Sequence, residues 1–159
     1  MRGLVTSQSN LTGNSASNRL SGNAGADKLL GGLGNDTLIG GIGKDNLTGG
    51  AGADKFKFNS IAETGKKATT RDTISDFKHS QGDKIDLSAI DADTVVAGNN
   101  AFTSLTVGNA FSGSFANRSD LYFDKTAHIL YGNNDADATA DFSILLSGVT
   151  TLSKTDFVL

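Results

Sequence analysis

The sequence predicts an all-β chain. A right-handed parallel β-roll of nonapeptide repeats over residues 13–58 is capped by a C-terminal β-sandwich-like region over 59–159, and 1–12 form an N-terminal extension or cloning remnant. Two observations carry this. Residues 22–57 divide into nines, GNAGADKLL, GGLGNDTLI, GGIGKDNLT and GGAGADKFK, each with Gly fourth, Asp sixth and a large apolar residue eighth. Such a period sets the architecture before any other signal. All eleven aromatic residues lie at Phe56 or later, so the first third buries only Leu and Ile and needs the remainder to close it.

A nine-residue unit is too short for a pair of helices, and it suits a six-residue loop followed by a three-residue strand. Glycine supplies the crowded or left-handed backbone of the loop. The apolar residue of each strand points inward and its neighbours point out. Two units make one turn of a flattened coil, with stacked strands on two faces and stacked loops on two edges. Leu11 and Leu20 stand eighteen and nine residues before Leu29, and Asn18 stands nine before Asp27, so 13–21 is a degenerate repeat. Beyond Phe58, residues 59–71 read as a polar loop. Segments 72–77 and 83–88 alternate as strands around a turn at Gln81 and Gly82. Further strands are expected at 94–97, 104–107, 121–124, 128–131 and 142–147, with a hairpin connection at 125–127, a polar loop at 133–140 and a single turn at 88–90.

Composition excludes several classes. A net charge of −3 and a pI near 5.2 argue against nucleic acid as a partner. Without cysteine there is no disulfide framework and no thiolate metal site. No run approaches the roughly 18 apolar residues of a membrane span. The opening MRGLVTS has no apolar core of signal-peptide length, so a cleaved N-terminal signal is not expected.

The repeats resemble the calcium-binding nonapeptide G-G-x-G-x-D-x-U-x of the RTX (repeats-in-toxin) proteins. Residues 31–39, 40–48 and 49–57 match at every fixed place, and 22–30 departs only at Asn23. The later part is similar to the C-terminal region of serralysin-type secreted proteases, through GGAGADKFKF, RDTISDF, GDKIDLSAI and ADF. Its end, Asp156, Phe157, Val158 and Leu159, resembles the acidic-plus-apolar tail read by type I (ABC-transporter) export machinery. The resemblance implies a secreted, extracellular module that folds on calcium after export and serves an attached catalytic domain.

Spacing alone stacks Asp27 over Asp45, and Asp36 between Asn18 and Asp54. Carboxylates about 5 Å apart repel by roughly 1 kcal/mol in water and several-fold more when buried, so the array needs a counter-ion. Calcium accepts mixed carboxylate and carbonyl oxygens with flexible geometry, whereas magnesium keeps its waters. The resemblance implies several calcium ions. One would join Gly22, Ala24 and Asp27 to Gly41, Gly43 and Asp45; a second, Gly31, Leu33 and Asp36 to Gly50, Gly52 and Asp54. A weaker site would use Asn18 with Gly32, Gly34 and Asp36. Glu63 and Asp72 continue the count of nine from Asp54 and are candidates for a last site over Asp45 or Asp54. Asn133, Asp135, Asp137 and Asp141 lack the turn glycine and closing glutamate of a helix-loop-helix calcium loop and read as a solvated loop.

No catalytic motif is present. There is no H-E-x-x-H and no G-x-S-x-G, and the two histidines, His79 and His128, are far apart in sequence. The chain is therefore expected not to be an enzyme. Seven of its fourteen Lys and Arg fall between Lys55 and Lys84. If they share a face, Lys66, Lys67 and Arg71 are candidates to hold an anionic, alginate-like polysaccharide, as do the RTX modules of alginate epimerases that the chain resembles in layout. A third reading is a calcium-stiffened adhesin segment.

Overall fold

The computed structural model describes residues 7–159. Among the described residues, thirteen strands form two sheets that face each other across one core. Strands β1 (Asn10–Thr12), β3 (Lys28–Leu33), β5 (Asn46–Ala51) and β7 (Asp72–Ile74) begin the first sheet. Strands β2 (Arg19–Ser21), β4 (Thr37–Ile39), β6 (Lys55–Lys57) and β8 (Lys84–Asp86) belong to the second. All these neighbours pair in parallel, as a coil that lays each turn on the one before requires.

The eighth residue of each repeat makes two inward columns. Leu11, Leu29, Leu47 and Ile74 stack in the first sheet, and Leu20, Leu38, Phe56 and Ile85 in the second. Leu29, Leu38, Leu47, Phe56, Ile74 and Ile85 are fully buried, whereas Leu11 and Leu20, at the open end, are only partly covered.

The cap continues both sheets. Strands β9 (Ser104–Gly108), β10 (Asp120–Asp124), β11 (Ile129–Asn133) and β12 (Phe142–Leu146) extend the first sheet to the order β1-β3-β5-β7-β12-β11-β10-β9. Strand β12 joins β7 in parallel, and the hairpin β10–β11 then turns the sheet antiparallel. Strand β13 (Phe157–Val158) closes the second sheet beside β8. Phe58, Phe77, Phe102, Phe123 and Phe142 form one buried cluster with the roll leucines. Phe102 and Phe142 meet edge to face at 5.8 Å, a favoured geometry for the ring quadrupole.

Several expectations change. Residues 1–6 lie outside the described residues, but the ladder already includes Asn10–Thr12, three residues before the expected start of the roll. Strands β3 and β5 have six residues rather than three, because Gly32 and Leu33 pair with Gly50 and Ala51 within the loops themselves. Residues 94–97 form a turn, not a strand. Asp93 Oδ1 accepts from the Val95 and Val96 amides, and those valines stay exposed because no strand neighbours them. The turn at 88–90 and the connection at 125–127 are found as expected, the latter fastened by Asp124 Oδ1, which accepts from the Thr126 and Ala127 amides. Strand β13 was not expected.

Asn23 shows why the first repeat tolerates its missing glycine. Its φ is +72°, in the left-handed region that Asn enters more readily than other side chains.

Candidate metal centre

The loops of the roll stack into two columns of aspartate, one on each edge. On the first edge the Ser9 amide donates to Asp27 Oδ1 at 2.6 Å, Asp27 to Asp45 Oδ1 at 2.8 Å, and Asp45 to Asp72 Oδ1 at 2.8 Å. On the second, Asn18 donates to Asp36 Oδ1 at 2.7 Å, Asp36 to Asp54 Oδ1 at 2.8 Å, and Asp54 to Asp83 Oδ1 at 3.0 Å. Each carboxylate thus uses one oxygen to hold the layer before it.

The other oxygen has nothing to hold. Oδ2 of Asp27, Asp36, Asp45, Asp54 and Asp72 is buried without a hydrogen-bond partner. In the four repeats it lies against the first glycine of its own unit: a Cβ on Gly22, Gly31, Gly40 or Gly49 would run into it. The first glycine therefore makes room for the carboxylate. The second, at Gly41, has φ +95° and sits too close to the Asn23 carbonyl for any side chain.

At Asp72, Asp45 and Asp54 burial makes the charge costly. It pushes the Asp72 carboxyl up to about 8, with the Asp45 amide opposing and the charges of Asp45 and Glu63 adding. Asp45 rises to about 6 through burial, with Asp27 and Glu63 as further negative neighbours. Asp54 also rises to about 6 through burial, with Asp83, Asp36 and Asp76 nearby. An unpartnered carboxylate oxygen in such surroundings is a ligand atom in want of a cation.

Of the two residues expected to extend the array, Asp72 stands in the column next to Asp45. Glu63 does not. It ends a 3-10 turn (Ile61–Glu63) and its carboxylate accepts from the Asn59 amide at 2.8 Å, close enough to add charge to Asp45 and Asp72. The columns end differently. Asp83 Oδ2 accepts from the Lys78 amide at 2.8 Å, so both its oxygens are engaged. At the opposite end Asn18 Oδ1 accepts from the Asn14 amide at 2.7 Å.

Sequence reasoning missed Asp76 and Asp83. Asp76 accepts from the Gly49 and Gly50 amides, both at 2.8 Å, and closes the last loop. Both lie beyond the polar insertion, which moves the stacking interval from 18 residues to 27 and 29, so counting in nines does not find them. Among the described residues no three acidic or histidine side chains converge as a metal cluster, so any site here draws on main-chain oxygens.

The remaining candidates are dispersed. Lys66 pairs with Asp141 at 3.3 Å, Lys67 is exposed, and Arg71 Nε is buried without a partner. Lys55 and Lys57 flank inward-facing Phe56 on the second sheet and share Asp86. Lys66, Lys67 and Arg71 lie in the loop before β7, whereas Lys55 and Lys57 lie on β6. Asp156 and Phe157 are buried, Phe157 within β13. His79 bonds Asp156, and His128 bonds the Val149 carbonyl oxygen. No helix among the described residues is long and apolar enough to cross a membrane.

Residues 7–159 match the family described as peptidase M10 serralysin C terminal. Among solved structures, the AlgE6R3 subunit from the Azotobacter vinelandii mannuronan C5-epimerase is similar at 32% identity and TM-score 0.61, over 98% of this chain and 81% of that one. The AlgE6R2 subunit of the same epimerase is similar at 29% identity and TM-score 0.56, over 93% and 91%. No curated protein matches.

Proposed function

This chain belongs to the peptidase M10 serralysin C-terminal family, and from that premise we propose that it is a calcium-binding RTX module whose roll forms when calcium neutralises its aspartate columns. The observation that carries the reading is the set of five buried carboxylate oxygens without partners. The donor set suits the ion: calcium takes six to eight oxygens, carboxylate or carbonyl, at flexible geometry. Asp27 and Asp45, with the carbonyls of Gly22, Ala24, Gly41 and Gly43, hold one ion. Asp36 and Asp54, with those of Gly31, Leu33, Gly50 and Gly52, hold another. Asn18 and Asp36, with Gly32 and Gly34, form a weaker site. Asp45 and Asp72, with Glu63 nearby, form the last. The ion supplies positive charge where ionised carboxylates otherwise oppose folding.

Extracellular calcium modules bind at roughly 10⁻⁴ to 10⁻³ M. At about 1 mM calcium a site of 100 μM affinity contributes roughly 1.4 kcal/mol, so a few such sites rival the stability of a domain. At low intracellular calcium that contribution vanishes. The chain then leaves the cell unfolded through a type I exporter that reads Asp156, Phe157, Val158 and Leu159, and folds outside as the accessory, non-catalytic part of a secreted protein. Far-UV circular dichroism in EDTA and in millimolar calcium tests this. A gain of β signal on adding calcium is expected, and identical spectra would refute it.

A second reading, an anionic-polysaccharide module, is favoured by the likeness to two subunits of a mannuronan epimerase. Lys67 is exposed beside Lys66 and Arg71 and supplies a contact. Retention on alginate that falls when Lys66, Lys67 and Arg71 are changed to Ser supports it; no retention of the unaltered chain ends it.

A further inference from the structure

The first sheet stops at β9, with no strand beside it among the described residues. Strand β9 pairs on one side with β10 over five successive residues, Ser104 to Gly108, without a bulge, and it is the last strand of that sheet. Leu105 and Val107 stand in register with the buried Leu121 and Phe123, and by alternation they share the core face of the sheet. Yet Val107 is 39% exposed and Leu105 only partly covered, because the sheet that would shield them has run out. The 109–119 connection does not cover the edge. It crosses the opposite face, where Phe111 stacks on Tyr131 at 4.4 Å and the Tyr122 hydroxyl donates to the Ala110 carbonyl at 2.8 Å.

A free edge is normally guarded by charge, proline or a bulge. Strand β9 has none of these. Residues 94–117 contain no Asp, Glu, Lys, Arg or His, and the chain has no proline. Lys154 Nζ reaches only the Thr103 carbonyl, at 2.7 Å, before the strand begins, and the Asp120 carboxylate on β10 is engaged by the Ser104 hydroxyl. The other edges differ: β2 carries Arg19, β13 directly follows the turn that holds Lys154 and Asp156, and β1 has only three residues.

We propose that β9 is a self-association edge, which pairs antiparallel with β9 of a second copy of this chain about a two-fold axis at Thr106. The order Ser-Leu-Thr-Val-Gly is self-complementary about its centre. A two-fold axis there sets Thr106 opposite Thr106, Leu105 opposite Val107 and Ser104 opposite Gly108, with the apolar pairs on the core face. Opposed apolar side chains and a Thr–Thr pair are favourable cross-strand neighbours, and the outward amides and carbonyls of β9 gain ladder partners. The two cores become continuous, one eight-stranded sheet running into the next. Such a contact is isologous and closes at two copies. A charged edge would repel its own copy, so the lack of charge favours a second copy over a charged partner.

The test is sedimentation equilibrium of the full chain in millimolar calcium, from micromolar to millimolar protein, with circular dichroism confirming the fold in each sample. The pairing requires only the folded chain, so it stands or falls apart from the calcium reading. The mass should climb from 16.4 kDa towards twice that value. Thr106→Lys places like charges directly opposite each other and should weaken association at least about tenfold, and an equimolar mixture of Thr106→Lys with Thr106→Glu should restore it. The chain has no cysteine, so Thr106→Cys should form a disulfide-linked dimer on mild oxidation, whereas Thr126→Cys, in the exposed 125–127 connection, should not. A mass that stays at 16.4 kDa at every concentration overturns the proposal, as does growth beyond two copies. An association that survives Thr106→Lys also overturns it, and its loss with Thr12→Lys instead would place the contact at β1.

Discussion

Replacing Asp72 by Asn should act in opposite directions with and without metal. In metal-stripped buffer, Asp72 is an ionisable carboxylate forced into a buried site, and its carboxyl is pushed up to about 8. The folded state therefore holds a proton that the unfolded state has released over the range from about pH 4 to about pH 8. Metal-free stability must fall as pH rises through that window and level off above it. A tenfold change in proton affinity is worth about 1.4 kcal/mol, so between pH 5 and pH 8 Asp72 alone costs roughly 4 kcal/mol. Asn keeps an oxygen for the Asp45 amide but carries no charge, so Asp72→Asn should stabilise the metal-free protein at pH 8 by roughly 3–5 kcal/mol and flatten its pH dependence. In saturating calcium the same change removes a ligand and should shrink the calcium-induced rise in Tm. Far-UV circular dichroism at pH 5 to 8 with and without calcium measures the folded fraction, and thermal melts across a calcium series measure the rise in Tm. A metal-free wild-type chain with no more β signal at pH 5 than at pH 8, or a metal-free Asp72→Asn variant with less β signal than wild type at pH 8, would refute the reasoning.

Gly31→Ala places a methyl where Asp36 Oδ2 and the Gly49 carbonyl already sit, and should cost about 1–3 kcal/mol and one calcium ion, measured by urea unfolding and titration calorimetry. Asp36→Asn should lower the number of ions bound, whereas Asp83→Asn, at a carboxylate with both oxygens engaged, should lower stability and leave the ion count unchanged. An unchanged ion count for Asp36→Asn would remove it from the binding array. Phe157→Ala should cost about 3–5 kcal/mol in calcium, seen as a fall in Tm, because the ring belongs to the shared core.

The repeat stretch was legible because each strand contributes one inward residue every nine, so the positions of Leu29, Leu38, Leu47 and Phe56 fix both columns and the stacking of Asp27, Asp36, Asp45 and Asp54. Legibility ended at the insertion after Phe58. The insertion changes the stacking interval, and a changed interval is invisible to a count: Asp72 could be proposed, but Asp83 and Asp76 could not. The glycine-rich halves of β3 and β5 were read as loop because Gly-Gly-x favours turns, yet stacking against an identical loop supplies them with ladder partners. Val95 and Val96 showed the reverse error. Their β-branched side chains suggested a strand, but a lone valine pair without neighbours cannot compete with an Asp93 turn. Strand β13, two residues long, was too short to signal itself.

The interval of 18 residues between hydrogen-bonded layers has a mechanical side. Stretched out, 18 residues span about 60 Å, while one layer advances the coil by only about 4.8 Å. The roll is a spool, shortening its thread more than tenfold. Under an axial pull, each 18-residue layer that lets go should release a jump of roughly 55 Å, and in a metal-loaded spool the layers before the insertion should yield in equal steps where a globular core would give way at once.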